Sequence, residues 1–291
     1  MSARTQVCLL RAGVIAETHA AAIAAAPGLA LAAVVDPDEA ARERLRARWR
    51  IPRAHASLDE ALAAGGFAAA HVLTPPDRHA EPAAKLLDAG ISTLVEKPLA
   101  ARAEDADALV ARAARAGARL GVNHNFVFSP AFAALRRRLA AGEIGPLRHV
   151  DCVYRGPLRQ LATRRLDHWM FASPLNMLLE QATHPLSLIR ILTGDADDVA
   201  LTAADVERAG ESGVILRRFS AAIAASRASA AFNSAVGEPS SVFRIEAYGA
   251  DGVLTADMLK GICLASRQGR WLEPADQLVC GLGAAGALAR G

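Results

Sequence analysis

Gln6-Val7-Cys8-Leu9-Leu10-Arg11-Ala12-Gly13-Val14-Ile15-Ala16 is a short apolar run closed by a glycine turn, and the stretch from Ala16 to Ala26 reads as helix until Pro27 and Gly28 stop it. A second strand, Leu29 to Val35, ends at Asp36 and leads into a helix from Asp38 to Arg48. Working outward, Ala69–Thr74, Ser92–Glu96 and Arg119–Val122 read as further strands. Helical segments at His79–Ala89 and Ala103–Ala116 separate them. Strict strand–helix alternation calls for a parallel sheet with helices on both faces, an α/β fold.

The first turn can be set against the dinucleotide fingerprint G-x-G-x-x-G/A. Gly13 stands where the backbone must approach a pyrophosphate, followed by Val14 and Ile15, and Ala16 stands where the helix packs closely on the sheet. Arg11 replaces the first glycine. It is either tolerated in a slightly different turn, or a guanidinium reaching back to the cofactor phosphates, or an impairment of binding. Asp36 closes the second strand at the distance expected of an acid that binds both ribose hydroxyls, which favours NAD over NADP. The plainer alternative is that Asp36 starts a turn with Pro37 and that Asp38 caps the next helix.

With 291 residues the chain has room for two medium domains. Its 52% hydrophobic content is swollen by alanine and only 4% is aromatic, a balance that suits helix-rich packing. No charge-free apolar stretch approaches the roughly 20 residues of a membrane span, and Val7–Leu10 is too short for a signal-peptide core, so a cytoplasmic protein without membrane partners is expected. The scattered cysteines Cys8, Cys152, Cys263 and Cys280 suggest reduced, mostly buried thiols and neither a zinc site nor a disulfide framework. A net charge of +3 is too small to demand nucleic acid. The alternating arginines from Arg42 to Arg50 spread around a helix as a solvated surface.

Four segments carry a resemblance: Val72-Leu73-Thr74-Pro75-Pro76 with His79 just beyond, Glu96-Lys97-Pro98, Gly121-Val122-Asn123-His124-Asn125-Phe126, and Glu180-Gln181-Ala182-Thr183-His184. Together they resemble the glucose-fructose oxidoreductase/inositol dehydrogenase/MocA family from Gln6 to about Gly252, with Glu-Lys-Pro the most specific. The resemblance implies a dinucleotide-binding Rossmann domain over residues 1–122. It also implies an α+β domain over 123–291, whose open, mostly antiparallel sheet carries substrate and a dimer or tetramer interface. It implies an NAD-dependent oxidoreductase acting on a secondary alcohol or ketone of a sugar, cyclitol or sugar nucleotide. Lys97, His184 and Glu180 take the catalytic positions. Gly13, Val14, Ile15, Asp36, Thr74, Pro75, His79, Glu96, Lys97 and Asn125 line the cofactor.

The residue types suit that chemistry. A base must reach the substrate hydroxyl, and histidine titrates near neutrality. A lysine beside it favours alkoxide character. Glu180 and His184, four apart in an apolar helical segment from Asn176 to Leu192, share a face, so Glu180 can bind a hydroxyl or orient the histidine. Pro185 should kink or restart that helix. A metal site on one E-x-x-x-H pair is poorly supported.

His124 and Asn125 suit either a cleft or a hinge, and His79 and His168 are ambiguous by themselves. Glu180, Ala182 and Ser187 depart from the usual aspartate, glycine and second aspartate, which points to an unusual substrate. Arg155, Arg159, Arg164 and Arg165 suit either an anionic substrate group or an exposed basic loop. The glycine- and alanine-rich tail Gly281–Gly291 ends early for the family. That would leave a sheet edge open and favour an oligomer, unless the tail is disordered. A regulator that binds dinucleotide or sugar without turnover is the alternative, and a structural Rossmann-like subunit a third.

Overall fold

The computed structural model describes residues 4–209 and 213–267. The chain divides into two units, the first ending at Asn123 and the second starting at His124. In the first, strands β1 (Thr5–Leu10), β2 (Leu29–Val35), β3 (Arg53–His55), β4 (Ala69–Val72), β5 (Ser92–Val95) and β6 (Leu120–Val122) alternate with helices. The helices are α1 (Val14–Ala25), α2 (Glu39–Trp49), α3 (Leu58–Ala64), α4 (Ala80–Asp88) and α5 (Ala103–Ala116). The strands form one parallel sheet in the order β3-β2-β1-β4-β5-β6. That is the doubly wound order, whose reversal between β1 and β4 opens a crevice at the carboxyl ends of the strands.

The continuous apolar runs have a physical origin in this sheet. Val7 and Leu9 pack on one face with Ala16, Ile23 and Leu45, while Cys8 and Leu10 pack on the other with Leu86, Leu87 and Leu109. A strand buried on both faces has no polar alternation to show. The short edge strand β3 and helix α3 are not marked by any apolar run. The helix nevertheless carries a capping signal in Ser57-Leu58-Asp59-Glu60: the Ser57 hydroxyl accepts from the Glu60 amide, and the Glu60 carboxylate accepts from the Ala56 amide.

In the second unit, α6 (Pro130–Ala140) precedes β7 (Leu147–Gly156), and α7 (Arg159–Ala162), α8 (Pro174–Gln181) and α9 (Thr183–Thr193) follow it. Then come β8 (Ala196–Ala209), β9 (Gly213–Ala225), β10 (Ser229–Val236), β11 (Val242–Gly249), β12 (Gly252–Asp257) and β13 (Ile262–Arg267). The seven-stranded sheet runs β13-β12-β11-β7-β10-β9-β8, antiparallel except for the β7–β10 pair. This is the open, mostly antiparallel sheet expected. Phe132 and Leu135 of α6, Met177 of α8 and Leu188 and Ile189 of α9 pack against Cys152, Phe232, Phe243 and Ile245 on one face of it. In β11 and β12 alternate residues are buried, as a sheet covered on one face requires.

One expected element differs. The helix expected from Asn176 to Leu192 is two helices that meet at Ala182, three residues before the proline expected to break it. Pro185 lies in the first turn of α9, where its missing amide hydrogen removes no helical bond. The break therefore falls upstream of it. Cys8 and Cys152 are buried free thiols and Cys263 is partly buried. Burial raises the Cys8 thiol to about 12, against the opposing charge of Arg53, and pushes Cys152 up as well. Cys280 and the tail Gly281–Gly291 lie outside the described residues. Among the described residues no helix is long and apolar enough to cross a membrane.

Candidate active site

Gly13, Val14, Ile15, Asp36, Thr74, Pro75, Glu96 and Lys97 all belong to the first unit and follow or close the carboxyl ends of β1, β2, β4 and β5. Gly13 caps α1 without any side-chain hydrogen bond, and a Cβ built on it meets nothing within 4 Å. The helix thus begins with uncapped amides under open space, the arrangement that receives a pyrophosphate. Val14 is 81% exposed beside it, an apolar side chain presented at the mouth of the turn.

Asp36 is buried and its carboxylate is heavily used. Oδ2 accepts from the Ala12 amide at 2.8 Å, and Oδ1 from the Asp38 amide at 2.9 Å and from Arg11 Nη1 at 3.2 Å. Arg11 itself has φ 89°, left-handed backbone that glycine adopts freely and arginine does not. Arg42 of α2 donates to the Asp36 carbonyl at 2.6 Å. The alternative role for Asp38 is also realised, since it caps α2 by accepting from the Ala41 amide.

Glu96, expected at the cofactor, has its carboxylate tied into a hydrogen-bond network. Oε1 accepts from His19 Nε2 at 2.9 Å and from Asn123 Nδ2 at 2.5 Å, and Oε2 from the Lys97 amide at 3.1 Å. Burial works to raise its pKa, but these three donors outweigh burial and hold it at about 2. The ionised carboxylate can only accept, so His19 Nε2 carries hydrogen. His19 Nδ1 meets His71 Nδ1 at 2.9 Å. Burial, then the neighbouring His19, lower His71 to about 4 against the attraction of Glu96, which keeps it neutral at ordinary pH. Lys97, half-buried, is therefore anchored through its amide to a network spanning α1, β4, β5 and the end of β6. Its bond to Pro98 is cis.

His79, expected beside the cofactor, has no exposed surface, and its two ring nitrogens sit 2.7 Å from the carbonyls of Pro98 and Thr74, so it ties two loops together. The Thr74 hydroxyl is spent on the Arg78 carbonyl at 2.9 Å, closing the turn that Pro75 begins. Asn125 falls in the second unit and is exposed. Asn123, two residues earlier and unselected from sequence, is the asparagine joined to Glu96. His19 and His71 were likewise missed, because nothing in a lone histidine on an alanine-rich helix or a short strand advertises a shared network.

In the second unit His184 occupies the first turn of α9 and is braced by aromatic edges. Phe126 stands T-shaped to it with centroids 5.1 Å apart, and Phe126 in turn packs on Phe243 at 4.8 Å, which packs on Tyr154 at 4.9 Å. His124 lies 6.4 Å from His184. This chain of rings carries the imidazole on the sheet and fixes its plane. Glu180 stands near enough to Tyr154 and His168 to act on both charges: burial first and Glu180 second raise the Tyr154 hydroxyl, while burial lowers His168 against the pull of Glu180. His168 accepts from the Met170 amide as a cap. Ser187 donates to the His184 carbonyl at 2.7 Å. Arg155, Arg159, Arg164 and Arg165 are all exposed.

A parallel sheet in doubly wound order, with an uncapped glycine turn and a strand-end carboxylate, defines a dinucleotide-binding class. Comparison with known proteins narrows it. Residues 7–124 match the oxidoreductase family with the NAD-binding Rossmann fold, and residues 132–255 match the GFO/IDH/MocA C-terminal domain. The chain belongs to this oxidoreductase family, and its first unit is an NAD-binding Rossmann domain.

A myo-inositol dehydrogenase of Streptomyces leeuwenhoekii is 31% identical over 190 residues, 61% of this chain and 54% of its own. The inositol 2-dehydrogenase of Rhizobium meliloti strain 1021 is 28% identical over 195 residues, 67% and 56%. The chain spans about half the length of these relatives. The solved structure of GenD2 from gentamicin A biosynthesis, in complex with NAD, aligns with TM-score 0.78 at 25% identity, over 100% of this chain and 88% of that one. Levoglucosan dehydrogenase, complexed with NADH and levoglucosan, shares the fold with TM-score 0.83 at 18% identity, over 93% and 78%.

Proposed function

We propose that this protein is an NAD-dependent dehydrogenase or reductase acting on a secondary alcohol or ketone of a sugar or cyclitol, with His184 as proton acceptor and donor assisted by Lys97. Bound NAD supplies the hydride acceptor or donor. Gly13 and the uncapped start of α1 receive the pyrophosphate, and Asp36 the adenosine ribose. Lys97 holds the substrate oxygen and favours its anionic form. His184 moves the proton at that oxygen, and Glu180 binds a neighbouring hydroxyl or orients the imidazole.

The observation that carries the reading is Lys97 at the ligand-binding edge of the parallel sheet, its amide fixed by Glu96 and that acid in turn by His19 and Asn123. Several named relatives act on inositols, which supports a polyol substrate. The test is titration of the protein with NADH by nicotinamide fluorescence, with Asp36→Ala as control, followed by turnover assays on cyclitols, sugars and sugar nucleotides. Binding lost in the Asp36 variant, and turnover lowered about 10²- to 10⁴-fold in Lys97→Ala and His184→Ala, are expected. NADH binding with unchanged turnover in both variants overturns the assignment of the pair.

A further inference from the structure

We infer that Arg11 is a cofactor-selecting residue: its guanidinium occupies the acceptor position on Asp36 that a ribose diol needs, so that NADH must displace it while NADPH gains from it. The inference rests on the NAD-binding reading above and concerns how selective that site is.

An ionised carboxylate offers about four lone-pair positions on its two oxygens. At Asp36 the Asp38 amide and Arg11 fill both positions on Oδ1, and the Ala12 amide fills one of two on Oδ2. One position is left. A 2′,3′-diol that donates twice requires two, and the two amides are fixed by the backbone of the β1 turn and the start of α2. The guanidinium is the only one of the three donors on a rotatable side chain, with 34% of that side chain still exposed. Bare ribose therefore enters by pushing Arg11 off Oδ1.

A ribose carrying a 2′-phosphate meets the same place differently. It presents anionic oxygens where the diol presents donors, and a guanidinium is well matched to them. Arg11 there neutralises Asp36, which would otherwise repel the phosphate. The second guanidinium, that of Arg42, stands at the same strand end on the Asp36 carbonyl. An arginine is held here at φ 89°, against its backbone preference, in the position where a glycine would relax. Removing it should therefore ease the turn as well as free the carboxylate.

The experiment measures dissociation constants of NADH and NADPH for the wild-type chain, Arg11→Gly and Arg11→Gln by nicotinamide fluorescence, with circular dichroism to verify folding. The glutamine variant keeps a side chain of similar reach without the charge and covers the case in which glycine disturbs the turn. Expected is NADH binding about tenfold tighter in both variants and NADPH binding weaker, so the NADH-to-NADPH preference rises by at least tenfold. Equal shifts for the two nucleotides, or none, in variants that still bind NADH overturn the role of Arg11 and leave the NAD reading intact. No binding of either nucleotide by any of the three proteins overturns both.

Discussion

Glu96 and Asp36 are carboxylates at the carboxyl ends of two strands of one parallel sheet, and they meet their surroundings in opposite ways. Every donor on Glu96 is a group fixed by packed elements, namely His19, Asn123 and the Lys97 amide. Asp36 is held by two backbone amides and one guanidinium on a side chain that remains partly in solvent. The first acid is wired inward and positions a neighbour; the second keeps one exchangeable partner. The two carboxylates, both mostly buried, are separated by the count of movable donors.

The comparison is tested most severely by Glu96→Gln. Both carboxylate oxygens accept hydrogen bonds, so an amide must set its NH₂ against one of the donors, and a loss of about 3 kcal/mol in urea unfolding is expected. A loss below about 1 kcal/mol would mean the network is slack.

The pH dependence follows from the same groups. Glu96 and His71 have folded pKa values below their ordinary ones, at about 2 and about 4, so the stability they confer is complete above pH 6.5. It falls first between pH 6.5 and 4, where an unfolded His71 takes up a proton that the folded one refuses. It falls again between 4.5 and 2, where Glu96 does the same. The first limb should amount to roughly 2–3 kcal/mol and should flatten in His71→Leu, measured by urea midpoints across the range. The groups facing that ring are His19 and, beyond it, Glu96.

At Asp36 smaller effects are expected. Arg11→Gly relieves left-handed backbone at the loss of one partly exposed ion pair, for a net gain of about 0.5 kcal/mol in thermal or urea unfolding. Raising salt from about 0.05 to 0.5 M weakens a pair that only wild type has, so it should widen the variant's advantage by only a few tenths of a kcal/mol. A larger salt response would mark the pair as a structural tie and erase the contrast with Glu96.

The first unit was legible because its strands are buried on both faces and punctuated by Gly, Pro and Asp, so Leu29–Val35 and Ala103–Ala116 emerge with the bounds expected. Strand β3, three residues at an edge, has too little apolar content to register. The second unit entered through resemblance, although the alternation in Val242–Gly249 and Gly252–Asp257 was there to be read. Gly13, Asp36, Lys97 and His184 were legible as motif positions. The wiring behind them was not, since His19, His71 and Asn123 are 104 residues apart at the extremes and meet only once the sheet has formed. The Arg11–Asp36 pair was hidden for the same reason: a substituted glycine signals that a turn has changed, but not where the new side chain goes.

Strand β8 sets an order in which the second unit comes apart. It runs for 14 residues at the end of the sheet and, among the described residues, is bonded to β9 alone. From Ala196 to Arg208 every one of its side chains is exposed, so none of the described residues roofs either face. Its amides should be the first in that sheet to exchange with deuterium, followed by β9, while β7, flanked by β10 and β11 beneath the helices, should exchange last. Loss of β8 would leave the aromatic support of His184 intact, because Phe126, Phe243 and Tyr154 all lie on other elements. The edge can fray while His184 keeps its aromatic support.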